Sequence, residues 1–281
     1  MKIKILVAHH KKHYIYEDDI FLPIHVGKED SKINLNMIAD NTGDNISSKN
    51  KYYCEMTATY WAWKNINDAD YIGLCHYRRY FTFKQESFVK KLKDKIKVYF
   101  GKSYKLLKRN YDKGIIFEMI KTTPEALNAE LNDFSVKLVK TIAQENISVF
   151  VTSPVELVNK NIKTHFDIFE FNYLDEIKEI IKNNFPQYLE YYIDTLNSNR
   201  IYYANMVIME KGIFNKYCSF IFSILNIHFE QNKNDIHNEQ INFDRLSGYV
   251  AELLTNTFIL KLKKEIKEDT IMELNTLFVD H

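Results

Sequence analysis

Asp68-Ala-Asp-Tyr-Ile-Gly-Leu-Cys-His-Tyr-Arg-Arg-Tyr-Phe81 reads as a buried strand that delivers a cluster of bases to its carboxyl end. Residues 71–75 form a short apolar run bounded by acidic residues on one side and by His76, Arg78 and Arg79 on the other; such a run suits a strand covered on both faces. If the strand continues, His76 and Arg78 share one side and Tyr77 and Arg79 the other. Two guanidinium groups beside an apolar strand need anions. They stay charged and bind phosphate oxygens in pairs, which suits a diphosphate group. Pairing with core-edge carboxylates such as Asp68 or Asp70 satisfies them equally well, and these residues alone leave both readings open.

Outward from that segment the pattern repeats. Residues 3–8 form a β-branched run that ends in His9, His10, Lys11 and Lys12. Ligands of open α/β sheets sit at the carboxyl ends of strands, so these four are candidates for a nucleotide base or its phosphates, with a solvated basic loop as the plain alternative. Residues 21–26 read as a second strand, 40–50 as a polar turn region and 52–65 as an aromatic-striped helix, in which Tyr60, Trp61 and Trp63 are core. Residues 82–150 are Lys-rich and mostly helical, and are expected to form an insertion or small subdomain. Strands follow at 147–152 and 202–209. Helices are expected over 175–197, interrupted at Pro186, over 214–229, and in a long closing helix from about 244. This alternation predicts one α/β domain over 1–281, with a mainly parallel sheet flanked by helices.

Composition narrows the function classes. The chain has 281 residues, 46% of them hydrophobic, with only 7 Gly and 4 Pro, so a packed globular core is expected. Lys and Arg number 38 against 37 Asp and Glu, which gives no global field for nucleic acid or an anionic bilayer. Three scattered cysteines, Cys54, Cys75 and Cys218, fit a reducing compartment better than a disulfide framework or zinc site. The apolar stretch at the N-terminus is too short for a signal peptide, so a cytoplasmic location is expected. Residues 90–108 read as a solvated Lys-rich face, with peripheral contact to the anionic inner face of the plasma membrane as the alternative.

The C-terminal third holds a further group. Glu252 follows Gly248 by one turn in an otherwise apolar helix, where burial would move its carboxyl toward the range of a general base and Arg245 would pull it back. A salt bridge fastening that helix to the sheet is the competing reading. Asp68-Ala-Asp70 has the letters of an Asp-x-Asp metal signature but precedes its strand, where the signature normally follows one. No metal site is therefore expected. Arginines at the strand end could neutralise a departing diphosphate, so a divalent ion such as Mn is not favoured. No Gly-rich phosphate loop is present to support a nucleotidyl- or phosphotransferase.

Taken in order, AHHKK (8–12), FLPIHVGK (21–28), EMTATYWAWKN (55–65), YIGLCHYRRYF (71–81), NSNRIYYANMVIMEKGIFNKYC (197–218) and RLSGYVAELLTNTFI (245–259) resemble the bacterial family catalogued as domain of unknown function 4422. That family resembles capsule, exopolysaccharide and lipopolysaccharide O-antigen glycosyltransferases with a nucleotide-sugar fold of the GT-A type. The resemblance covers most of the chain and is weakest over 82–150. It implies that His9, His10, Lys11, Lys12, His76, Arg78 and Arg79 line a donor pocket. Tyr202, Tyr203 and Asn205 would face the acceptor, while Arg245 and Glu252 complete the catalytic site. It also implies a UDP-linked donor, with galactose or galactofuranose favoured, and a lipid-linked or oligosaccharide acceptor. His165 falls where the family tends to carry a histidine, and reads as a packed surface residue. Glu252 as base would give an inverting displacement. A non-catalytic scaffold of a polysaccharide assembly complex remains the alternative from a different class.

Overall fold

The N-terminal run forms β1 (Ile3–His9), and the segment quoted first forms β4 (Tyr71–His76) parallel beside it, with Ala8 opposite His76. The computed structural model describes residues 1–85, 115–116, 119–158, 160–167, 172–238 and 243–279. On the other flank of β1 runs β2 (Phe21–His25), also parallel, with His9 opposite His25, and the short β3 (Ile38–Ala39) follows it. Successive residues of β1 feed opposite cores, Ile3, Ile5 and Val7 on one face and Leu6 and Ala8 on the other, as the period of two requires. This half is the parallel sheet expected from sequence.

The other half is not. After His76 the chain turns at Tyr77 and Arg78, and β5 (Arg79–Thr82) runs back with Arg79 opposite His76. Alongside the first half of β4 lies β11 (Val207–Glu210), antiparallel to it and to β8 (Val149–Thr152). The long β12 (Ile271–Val279) is parallel to β8 in its first half and antiparallel to β5 in its second. The pairings β4–β11–β8–β12–β5–β4 close a circuit, so the expected mainly parallel sheet is corrected to a mixed one. Gly73 permits the β4–β11 approach, because a Cβ there would lie 2.8 Å from the Val207 carbonyl oxygen. The closing helix does not finish the fold; β12, which does, alternates buried and half-buried residues too weakly to stand out beside it.

Residues 119–150 belong to the main body. β6 (Ile115–Ile116) pairs with β9 (Val155–Leu157), which with β10 (Arg200–Ile201) makes a small second sheet, while β7 (Met119–Thr122) runs parallel to β12. The helix expected there is α3 in chain order, Pro124–Glu145. It starts with Pro at its first position, ends at the left-handed Asn146, and lays Leu127, Leu131, Phe134 and Leu138 on the sheet against Phe21 and Phe81. It covers one face of the sheet as a packed layer. The Lys-rich stretch 90–108 lies outside the described residues.

The opposite face is covered by α2 (Met56–Asn65), α5 (Tyr173–Asn184), α6 (Leu189–Asn197), α7 (Lys211–Gln231) and α9 (Leu246–Glu265), with the short α1 (Asn50–Tyr53), α4 (Ile162–Phe166) and α8 (Lys233–His237) between them. α9 is apolar nearly all round and buried among the others, the pattern of a central helix. Pro186 interrupts the expected helical pair between α5 and α6. Among the described residues no helix is long and apolar enough to cross a membrane.

Candidate functional site

A cleft of about 490 Å³ opens at the carboxyl ends of β1 and β4, floored by Ala8, Val26 and Asn50. β2 lies on one side of β1 and β4 on the other, so strand order reverses here, where open α/β sheets receive ligands. One wall is cationic. The Tyr77–Arg78 turn ends the alternation assumed from sequence and brings His76, Tyr77, Arg78 and Arg79 together on the cleft. β12 braces that turn: the Val279 N–H donates to the Arg78 carbonyl at 3.0 Å, the Arg78 Nε donates to the Val279 carbonyl at 3.2 Å, and the guanidinium stacks over Phe278 at 4.6 Å. Arg245 adds a third guanidinium from a left-handed position ahead of α9. Among the described residues none of these three arginines takes part in an ion pair. Asp68 and Asp70, their competing partners in sequence, lie at the far end of β4 and bind Lys2 and its backbone N–H.

The facing wall carries two carboxylates. Glu252 projects from α9, and its Oε1 accepts the Ala204 N–H at 2.9 Å. Desolvation pushes its carboxyl up to about 8; Glu55 adds to the rise, while the Ala204 N–H, Arg79 and Arg245 oppose it. Glu55 stands at the break between α1 and α2, where Cys54 has a φ of 51° and splits the single helix expected over 52–65. Its Oε1 accepts from Asn205 Nδ2 at 2.8 Å. Sequence reasoning overlooked Glu55, and the available signal was a charged residue opening an apolar helix.

Between the carboxylates lies a turn that interrupts the strand expected over 202–209. Ala204 and Asn205 have φ of 67° and 52°, a conformation costly for residues with a Cβ. Asn205 is 1% exposed and lies beneath the cleft, where it also donates to the Gly248 carbonyl at 3.2 Å and accepts from Thr255 Oγ1 at 3.2 Å. The Ala204 carbonyl accepts from His76 Nε2 at 2.7 Å, so Nε2 carries the proton and Nδ1 of the neutral ring is an acceptor. Desolvation holds His76 below the ordinary imidazole range against the pull of Glu55, with Arg79 and Arg245 deepening the depression. Cys54, Ala204, Asn205 and Arg245, all of positive φ, therefore converge on one cleft. Backbone strain of that kind collects at functional sites.

The remaining candidates are distributed less favourably. His10 lines the cleft, whereas His9 is fully buried behind it beside Tyr77, and Lys11 and Lys12 extend into solvent, Lys11 over the Tyr77 ring at 5.6 Å. Tyr202 is turned away from the cleft. Its hydroxyl donates to Glu273 at 2.6 Å and accepts from Lys263 at 2.9 Å, in a separate cavity of about 210 Å³. The Tyr203 hydroxyl is paired with His165 Nε2 at 2.5 Å. Among the described residues no three His, Cys, Asp or Glu side chains come together to hold a metal, and each cleft carboxylate has one oxygen hydrogen-bonded.

Fold and cleft define an α/β protein with an anion-receptive site at a strand-order reversal. Residues 4–264 match the family described as a domain of unknown function (DUF4422), and the chain belongs to that family. It is similar to the apo structure of the bifunctional glycosyltransferase WbbM, with a TM-score of 0.73 and 26% identity, over 100% of this chain and 46% of that one. The chain thus spans about half the length of that bifunctional protein. No curated protein matches the sequence.

Proposed function

We propose that the chain is a glycosyltransferase that moves a hexose from a UDP-linked donor to a surface-polysaccharide acceptor, with inversion at the anomeric carbon. What carries the reading is a set of three guanidiniums that, among the described residues, take part in no ion pair and that share one cleft with a carboxyl pushed up to about 8 by burial. In this scheme Arg78, Arg79 and Arg245 hold the diphosphate and balance the charge that grows on its bridging oxygen as the bond to the anomeric carbon breaks. Glu252, ionised, takes the proton of the acceptor hydroxyl as the hydroxyl oxygen forms the new bond. Each arginine keeps its charge throughout, so the leaving group is met by fixed cations and no ion is required in the step. The likeness to a glycosyltransferase over the whole chain and the family membership support this assignment. Galactose or galactofuranose is the favoured sugar.

Calorimetric titration with UDP, UDP-galactose, GDP-mannose, CMP-sialic acid and dTDP-glucose in EDTA tests it. UDP and UDP-galactose should bind, and Arg79→Ala should weaken both by about tenfold or more, the worth of one charge-assisted contact. Absence of any nucleotide binding, or unchanged affinity in Arg79→Ala, removes the diphosphate site; activity lost in EDTA and restored by manganese contradicts the metal-free scheme.

A further inference from the structure

The two cleft carboxylates grip adjacent residues of one turn. Glu252 Oε1 accepts the Ala204 N–H at 2.9 Å, and Glu55 Oε1 accepts Asn205 Nδ2 at 2.8 Å. The peptide they share is left-handed at both positions, and His76 holds it from a third direction through the Ala204 carbonyl. A turn of that conformation persists only when its surroundings over-determine it. Here the over-determination comes from α9, from the α1–α2 break that packs against it at Gly248, and from the end of β4. We propose that Glu55 is a positioning residue for Glu252, acting across the Ala204–Asn205 turn that both carboxylates grip.

The assignment has a geometric and an electrostatic part. Geometrically, Glu55 fixes Asn205, which fixes the Ala204 N–H, which orients the Glu252 carboxyl toward the cleft. Electrostatically, it is the like charge that faces Glu252, where every other charged neighbour acts the opposite way. The groups facing Glu252 are Cys54 and Glu55 from the helix break, His76 from β4, Arg79 from β5, Tyr203 from the turn and Arg245 from the start of α9. Arg79 and Arg245 favour its ionised form and Glu55 favours its protonated form. Glu252 meets the charge of Glu55 across this turn, and burial together with that charge holds its carboxyl above the ordinary carboxylate range. The inference rests on the transferase reading for its purpose, the supply of a base matched to neutral pH, but not for its physics.

The test needs no nucleotide. Urea unfolding is followed from pH 6.5 to 9 for wild type, Glu252→Gln, Glu55→Gln, Glu55→Asp and the Glu55→Gln/Glu252→Gln double variant, and each curve is read as a difference from Glu252→Gln, which removes the histidine contribution common to all of them. The folded state holds a Glu252 proton that the unfolded chain has released, so wild-type stability should fall relative to Glu252→Gln as pH rises toward about 8. The fall that the buried cysteines add at higher pH is common to every variant and should remain in Glu252→Gln. Glu55→Gln keeps an acceptor for Asn205 but removes the charge, and should displace the fall toward lower pH by about one pH unit or more. Glu55→Asp, which keeps the charge, should leave the fall within the wild-type range. In the Glu252→Gln background, Glu55→Gln should have no pH-dependent effect. A Glu55→Gln curve superimposable on wild type, or a Glu55→Asp curve displaced as far as that of Glu55→Gln, overturns the inference. Should Glu55→Gln fail to fold, Glu55→Asp against wild type and Glu252→Gln decides alone, and displacement of its fall again counts against the proposal. Failure of wild type to bind any nucleotide would instead sink the transferase assignment and leave these curves untouched.

Discussion

In the proposed transferase Glu252 meets two opposed demands: it is desolvated, and it must be ionised to act as a base. With its carboxyl pushed up to about 8, only about a tenth of the population is ionised one pH unit below that value, so kcat/KM should rise with pH and level off near 8. A rate that instead declines over that range assigns Glu252 as an acid. Glu252→Gln should lower kcat by roughly a hundredfold to ten-thousandfold while calorimetry still detects UDP at near wild-type affinity. Turnover close to normal would move the base elsewhere. His9 carries the opposite linkage. Burial, aided by His13, His10 and His25, pushes its imidazole down to about 4, and neither ring nitrogen has a hydrogen-bond partner among the described residues. The unfolded chain binds a proton at His9 from about 6.5 downward while the folded chain refuses it, so stability should fall as pH drops from 6.5 toward 4. His9→Leu should flatten part of that acid slope in urea titrations, and an unchanged slope would assign it to other groups.

Elements of this fold are positioned by where they break. A continuous helix over 52–65 would carry residue 55 on its wall, whereas the interruption at Cys54 turns Glu55 into the cleft. Gly248 makes room for that interruption, because a Cβ there would sit 3.2 Å from Cys54 Sγ. Gly248→Val should therefore displace Cys54 and Glu55, cost about 1–3 kcal/mol by overpacking, and impair turnover beyond what the lost stability explains. Equal turnover per folded molecule would show that the break tolerates movement. These breaks are what the sequence conceals. Tyr53, Met56, Tyr60 and Trp63 keep helical spacing straight through Cys54, and Tyr202–Tyr203 read as strand because aromatic residues favour extended backbone. Positive φ at Cys54, Ala204 and Arg245 has no composition signal, since none of them is Gly or Asn. The basic residues that end β1 and β4 were legible, because an apolar run stopping at His or Arg marks a strand end whatever follows.

At the scale of the molecule, the parallel half of the sheet follows from local patterns, whereas the circuit through β11, β8, β12 and β5 depends on pairings between distant segments. Phe278 lies opposite Arg79, and no periodicity near either residue announces the other. The closure has a stability consequence. Leu277 is 1% exposed and packs in the core beneath α3, so Leu277→Ala should cost about 2–5 kcal/mol. Because β12 braces the Arg78 turn, the same change should weaken UDP binding in the folded fraction; a loss of stability with intact affinity would separate the brace from the site. The order in which a ribosome makes these parts then matters. The arginine hairpin emerges early, but the strand that steadies it is the last of the circuit to be synthesised. Until residues 271–279 are made the Arg78 turn lacks its brace, so under the proposed function an unfinished chain should bind nucleotide sugar more weakly than the complete circuit does.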